Sequence, residues 1–304
     1  MSKKIFRTFL VLMILVGVTA CSTTKLGVDI TSNAVKAGIG AFYEEGDFEL
    51  ARHGLESNIK LLEVFYKADP SNKNIRILLS QAYAGYTFIF LETDLLYTSN
   101  KNDADKIKAR INDFYNRGLR YGLSILTDED AMFKKAVEKN DFELFSTSIS
   151  KLTEQEAMFW TVFNWSLLLN MNRDSADNVS DLPKLHLLAD RTILLKKSFM
   201  NYAPLALKGT LECSMPKMLG GKPDNGVKLM EEALAGSKRS FLAIQFLYAQ
   251  YCTPAVQDKK TFLALTSEIE KADPGINNDA KLINTAIKLK IPAIKKSVIK
   301  LFED

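Results

Sequence analysis

The sequence predicts an all-α protein: stacked antiparallel helix pairs in a single continuous domain. Three observations carry this. Apolar residues recur at three- and four-residue intervals from near Val28 almost to the C-terminus, the period of an amphipathic helix. Leu, Ala, Lys and Glu dominate, which favours helix over a turn-rich β sandwich. Glycine (15) and proline (8) are few and cluster where the periodicity breaks. With 304 residues and 47% hydrophobic composition the chain has enough apolar material for one large core or two small ones, and no linker divides it.

The N-terminus reads differently. Lys3, Lys4 and Arg7 precede an apolar run from Phe9 to Val18, followed by Thr19, Ala20 and Cys21. That is the basic region, apolar core and small-residue cleavage site of a secretory signal. The apolar core, about ten residues long, is half of what a membrane-spanning helix needs. Val18-Thr19-Ala20-Cys21 resembles the bacterial lipobox, in which the cysteine becomes the acylated first residue of the mature protein. The expected layout is therefore a signal over 1–20, an acylated tether over 21–27 and one helical domain over 28–304. Cys21 is the expected lipid-attachment site and places the domain on the periplasmic side of a membrane. Ser22 stands where an aspartate would, by analogy with enteric bacteria, retain the protein at the inner membrane, so the outer membrane is favoured.

Charge excludes one class of partner. Three of the 40 basic residues lie in the signal and none of the 36 acidic ones do, so the mature chain is nearly neutral. Its lysines and arginines are interleaved with acids as on solvated helix faces, which argues against nucleic acid.

Along the domain, Ala41, Phe42 and Tyr43 lead through Glu44-Glu45-Gly46-Asp47-Phe48 into a helix presenting Leu50, Ala51, Leu55, Ile59, Leu62 and Phe65 before Ala68-Asp69-Pro70. Gly46 suits a tight turn, Asp47 a helix cap, and Ala51 close approach of a neighbour. This order resembles a tetratricopeptide repeat, whose stacked copies form an α-solenoid, although this helix is longer than usual and Asn58 replaces the customary small residue. A second such unit turns at Gly220-Gly221-Lys222-Pro223-Asp224 and buries Val227, Met230, Ala233 and Leu234, followed by an apolar helix from Ser240 to Cys252. Between the units the periodicity predicts helices over Asn74–Thr98, Lys101–Ser124, Asp128–Lys139, Glu154–Met171, Leu182–Phe199 and Tyr202–Pro216. The last helices cover Thr261–Lys271 and Asp279–Phe302, the latter with a kink at Pro292. Thr153 with Glu156 reads as a capping box, and Asp181 before Pro183 as a helix start. The stretch from Leu126 to Thr153 is the least regular.

Chemistry is sparse. There is no metal-ligand pair at helical spacing, no C-x-x-C, no phosphate-binding glycine loop and no G-x-S-x-G, so neither an enzyme nor a cofactor is expected. His186 is four residues from Asp190, a spacing that suits a surface ion pair. Asp128-Glu129-Asp130 reads as an acidic helix N-terminus. Cys213 and Cys252 are compatible with a disulfide in an oxidising compartment and equally with two buried thiols. The densest aromatic cluster is Phe159, Trp160, Phe163 and Trp165, which covers more than one face of its helix and includes Asn164. Core packing explains such a cluster; a pocket for an apolar or amphipathic ligand has the same signature. Phe159, Trp160 and Trp165 are the candidate pocket wall, with Asn164 as its orienting polar group.

Features spread over most of the domain resemble one family. They are Phe159-Trp160 with Trp165, Asp181-Leu182-Pro183, Gly209, Pro216 with Leu219-Gly220-Gly221-Lys222-Pro223, Tyr248-Ala249-Gln250-Tyr251, Gln257-Asp258, Asp273-Pro274, Asn284 and Leu301-Phe302. Their order is similar to that of the T component of tripartite ATP-independent periplasmic (TRAP) transporters. The resemblance implies a helical, lipid-anchored, trimeric protein with a central pore or cavity. It also implies docking to the TRAP substrate-binding protein and passage of small, hydrophobic organic ligands between the two. The resemblance also implies a glycine-rich run after Tyr202, where this chain has Ala203-Pro204-Leu205. The competing function is a tetratricopeptide scaffold lipoprotein for envelope or outer-membrane assembly, with no small-molecule ligand.

Overall fold

The computed structural model describes residues 23–172, 176–215 and 221–302, and these are helical with no strand among them. The signal, the lipobox and Cys21 lie outside the described residues. The expected tether does not persist to residue 27, since α1 spans 23–37. Val28 is buried there, and Asn33 accepts a hydrogen bond from Asn74 at 2.8 Å, so the segment docks instead of dangling.

The first repeat follows. Gly40–Tyr43 makes a short turn, and α2 (Phe48–Ala68) is capped by Asp47, whose Oδ1 accepts from the amides of Glu49 and Leu50 at 3.0 Å. Ala51, Ile59 and Leu62 are buried as their spacing predicts. Leu50 is exposed instead, because it lies a full 100° from Ala51 around the helix and only one of two neighbours can face the core. Asn58 is not an orphan: its amide donates to the Gly54 carbonyl at 2.8 Å. Asn72 caps α3 (Lys73–Tyr86), which passes through a π-helical turn, Thr87–Leu91, into α4 (Glu92–Tyr97).

The long α5 (Lys101–Glu129) packs on both α3 and the central helix α8 (Gln155–Met171). Between them the irregular stretch resolves into a small hairpin, α6 (Ala131–Lys139) and α7 (Phe142–Ser148). Asn140 in the left-handed region makes the turn, and Phe133 packs on Phe145 with ring centroids 4.9 Å apart. The acidic run serves this turn: Asp128 bonds Arg76 at 2.6 Å and Asp130 caps α6. Glu129 takes both the amide and the hydroxyl of Thr153 at 2.6 Å. The expected Thr153–Glu156 capping box is therefore absent, because Glu129 supplies what the box would and Glu156 pairs with Lys36.

Apolar residues surround α8, as they must on a helix enclosed by neighbours on most sides. It touches α3, α5, α9 (Ala176–Lys196) and α10 (Phe199–Ser214). Helix α9 starts ahead of the Asp181 cap expected from sequence; Pro183 lies inside it, and Asp181 pairs with Lys184 at 2.9 Å. Helices α10 and α11 (Pro223–Gly236) come together where Gly226 fits between Cys213 and Gly209: a Cβ at Gly226 would lie 2.8 Å from the Gly209 carbonyl oxygen. Next, α12 (Leu242–Leu247) enters a second π-helical turn, Tyr248–Cys252, and α13 (Lys259–Lys271) follows.

The final helix, α14 (Lys281–Lys296), continues through Pro292 and ends at Lys296, four residues past the expected kink. It packs against α2, α4 and the Thr87–Leu91 turn, so the stack of helix pairs closes on its own beginning. Tyr97 Oη donates to the Leu289 carbonyl across this closure, and Phe302 is buried at the end of the chain.

Candidate functional site

Closure of the stack encloses an apolar cavity of about 80 Å³. Its wall draws on the N-terminal repeat (Tyr43, Gly85, Phe88, Ile89), on the central helix (Phe159, Trp160, Phe163), on α10 (Ala206, Leu207) and on the C-terminal helices (Phe241, Ile244, Leu282, Ile283). A second void of about 70 Å³, lined by residues from α1, α2 and α3, shares Tyr43, Gly85 and Trp160 with the first. Trp160 therefore borders two parts of one apolar space.

Polar groups here are few. Trp160 Nε1 is buried and has no hydrogen-bond partner among the described residues. Tyr43 Oη accepts from the Gln81 amide, and burial, with the nearby Glu156 charge second, holds its phenol far above the usual value. Met200 and Asn201 line the cavity, and with Tyr202 they have left-handed φ angles of 41°, 57° and 66°. The run expected to be glycine-rich begins directly after this segment, at Ala203. Non-glycine residues in the left-handed region carry strain of about 1–2 kcal/mol each, and such strain collects at functional sites. The Asn277 amide holds Asn201 Oδ1 at 3.1 Å.

The aromatic cluster divides. Phe159 and Trp160 line the cavity, with Phe163 beside them. Asn164 is wholly buried elsewhere: its amide donates to the carbonyls of Ser80 (3.1 Å) and Trp160 (2.8 Å). The structure thus gives Asn164 a packing role, because α5 approaches so closely at Gly118 that a Cβ there would meet Asn164 Oδ1 at 2.3 Å. Trp165 is half-buried against the core and is not part of the cavity wall. Tyr43, Phe88, Phe241 and Leu282 had no signal in the sequence beyond ordinary apolar spacing, since nothing local says that these four segments meet.

Two outcomes follow from this packing. Gly118→Ala loses about 1–3 kcal/mol of stability by overpacking, measured by urea unfolding; an unchanged midpoint contradicts the close contact. Burial also raises the phenols of Tyr43 and Tyr115. Above about pH 10 the unfolded chain gives up protons that the native state keeps, so stability falls as pH rises, by up to ~1.4 kcal/mol per unit for each such tyrosine. Phenolate absorbance from these residues is expected to rise only as the protein unfolds; ionisation with the fold intact contradicts their burial.

The family model of the TRAP transporter T-component matches residues 44–302, nearly the whole helical domain. The chain belongs to that family. It is accordingly a component of a TRAP transport system, and among its described residues no helix is long and apolar enough to cross a membrane. No curated protein matches it.

Elsewhere in this T-component, charged residues serve architecture. His186 does not pair with Asp190 as their spacing suggests. Lys208, itself buried, reaches between them, with Nζ 2.9 Å from both His186 Nδ1 and Asp190 Oδ1 and 3.5 Å from Glu212 Oε1. Burial, then the Lys208 charge, pushes the imidazole pKa down, so His186 acts as a neutral acceptor clamping α9 to α10. No group of three or more His, Cys, Asp or Glu among the described residues is placed to hold a metal. Cys213 and Cys252 form a disulfide joining α10 to the Tyr248–Cys252 turn.

Proposed function

We propose that this T-component is an acylated, periplasmic docking module, held at the outer membrane through Cys21 and assembled as a homotrimer. It presents a small apolar molecule to the TRAP substrate-binding protein. The ligand lies in the cavity walled by Phe159 and Trp160 and carries one hydrogen-bond acceptor. The observation that carries this reading is the indole N–H of Trp160, an unpartnered buried donor on a wall that is mostly apolar. Leaving a buried donor unmet costs about 1–3 kcal/mol, which an acceptor on a ligand recovers.

The test has three parts. Tagged full-length protein, cross-linked in cells, is expected to retain the TRAP substrate-binding protein; recovery of outer-membrane assembly factors alone supports the scaffold function instead. Mass spectrometry of organic extracts of the purified protein is expected to show a bound apolar molecule, reduced about fivefold by Trp160→Phe, the loss of about one hydrogen bond. Equal retention by the variant removes Trp160 from the site. Cys21→Ser is expected to shift the protein from the membrane to the soluble fraction.

A further inference from the structure

A further cavity, of about 200 Å³, shares no lining residue with the apolar one and differs in character. Leu95, Leu167 and Met171 supply an apolar wall, whereas Glu92, Gln250 and Lys290 supply charge and amide. Both π-helical turns among the described residues border it: Thr87–Leu91 ends immediately before Glu92, and Tyr248–Cys252 contains Gln250. Such turns are rare and recur at functional sites, because the wider turn re-aims the side chains that follow.

The polar groups form a built set. Lys290 is 0% exposed, and its ammonium is 3.0 Å from Glu92 Oε2, donates to the Phe88 carbonyl and lies 4.0 Å from the centre of the Phe88 ring. The other Glu92 oxygen accepts from Tyr115 Oη at 2.6 Å. Glu92 is nevertheless partly accessible, at 20% of its side chain. Gln250 Oε1 is buried without a hydrogen-bond partner among the described residues. The space is several times that of a water molecule, roughly 30 Å³ in the liquid.

We propose that this cavity binds a small zwitterion, an α-amino acid with an aliphatic side chain. Its ammonium meets Glu92 and the Gln250 amide oxygen, its carboxylate takes the remaining N–H of Lys290, and its side chain rests on Leu95, Leu167 and Met171. Electroneutrality selects this class. Glu92 and Lys290 already balance, so a ligand with a net charge adds an uncompensated charge beside the buried Lys290. A zwitterion adds none. Burial lowers the Lys290 pKa, as expected for a cation that holds its charge only through nearby acceptors. The site is separate from the apolar cavity, and its occupancy does not depend on the function proposed for that cavity.

The full-length protein is tested by thermal shift against each standard L-amino acid, then by calorimetry with L-leucine, 3-methylbutan-1-amine and 4-methylpentanoate, which share one side chain. Leucine or another aliphatic amino acid is expected to bind at one site, at least about tenfold more tightly than its decarboxylated and deaminated analogues. Gln250→Leu is expected to weaken that binding about tenfold or more. The paired change Glu92→Gln with Lys290→Met, which keeps an acceptor for Tyr115, is expected to abolish it, and Trp160→Phe to leave it unchanged. Absence of binding by any amino acid at about 10 mM, equal affinity for the amine or acid analogue, or binding indifferent to both the Gln250 and the paired variants overturns the proposal.

Discussion

Lys290→Met is expected to lower the stability of the protein by about 3–5 kcal/mol, the usual result of removing one partner from a buried ion pair. The loss is not the value of the pair itself. It is the cost of leaving the Glu92 carboxylate with Tyr115 as its described side-chain partner, and the Phe88 carbonyl without the ammonium. Adding Glu92→Gln to the same chain is therefore expected to recover most of the stability, since the uncompensated charge is gone. Urea unfolding of the two single variants and the double variant closes the cycle. A single variant as stable as the parent would show that the pair does not hold α14 to the first repeat. The residues lie 198 positions apart, so the effect reports directly on closure of the stack.

Removing the disulfide by Cys213→Ala with Cys252→Ala is expected to cost about 4 kcal/mol by the loop-closure relation, for a sequence separation of 39. The bond joins α10, which carries Ala206 and Leu207 of the apolar cavity, to the π-helical turn that carries Gln250 of the polar one. Loss of the bond is therefore expected to weaken occupancy of both cavities as well as lower the unfolding midpoint. Cysteine-to-alanine variants are a cleaner probe than added reductant, because both sulfurs belong to buried residues. Stability equal to that of the parent would contradict a structural role for the bridge.

Local elements were legible wherever a side chain acts on its own backbone. Asp47 before Phe48 marks a helix start by capping, an effect that spans three residues or fewer, and the structure has it. Reading failed where a distant group supplied the same bond. Thr153 looks capped by Glu156 but is held by Glu129, and His186 looks paired with Asp190 until Lys208 enters from another helix. Aromatic neighbours in sequence make Asn164 look like a polar group in a pocket. Its partners are in fact the Ser80 and Trp160 carbonyls, at a contact with Gly118 that a list of residues does not reveal.

The sequence by itself determined that the chain is helical, where most helices begin, that Phe159 and Trp160 are apolar surfaces in need of cover, and, through residues scattered along its length, its family. Those properties depend on the period of the helix and on neighbours within about one turn. Only the tertiary structure decided that α14 returns to the first repeat, that the stack therefore encloses two cavities of opposite character, and that Glu92 meets Lys290. Periodicity tells which face of a helix avoids water; whether facing surfaces fill the space between them depends on helices hundreds of residues apart, and a cavity is the volume they leave empty.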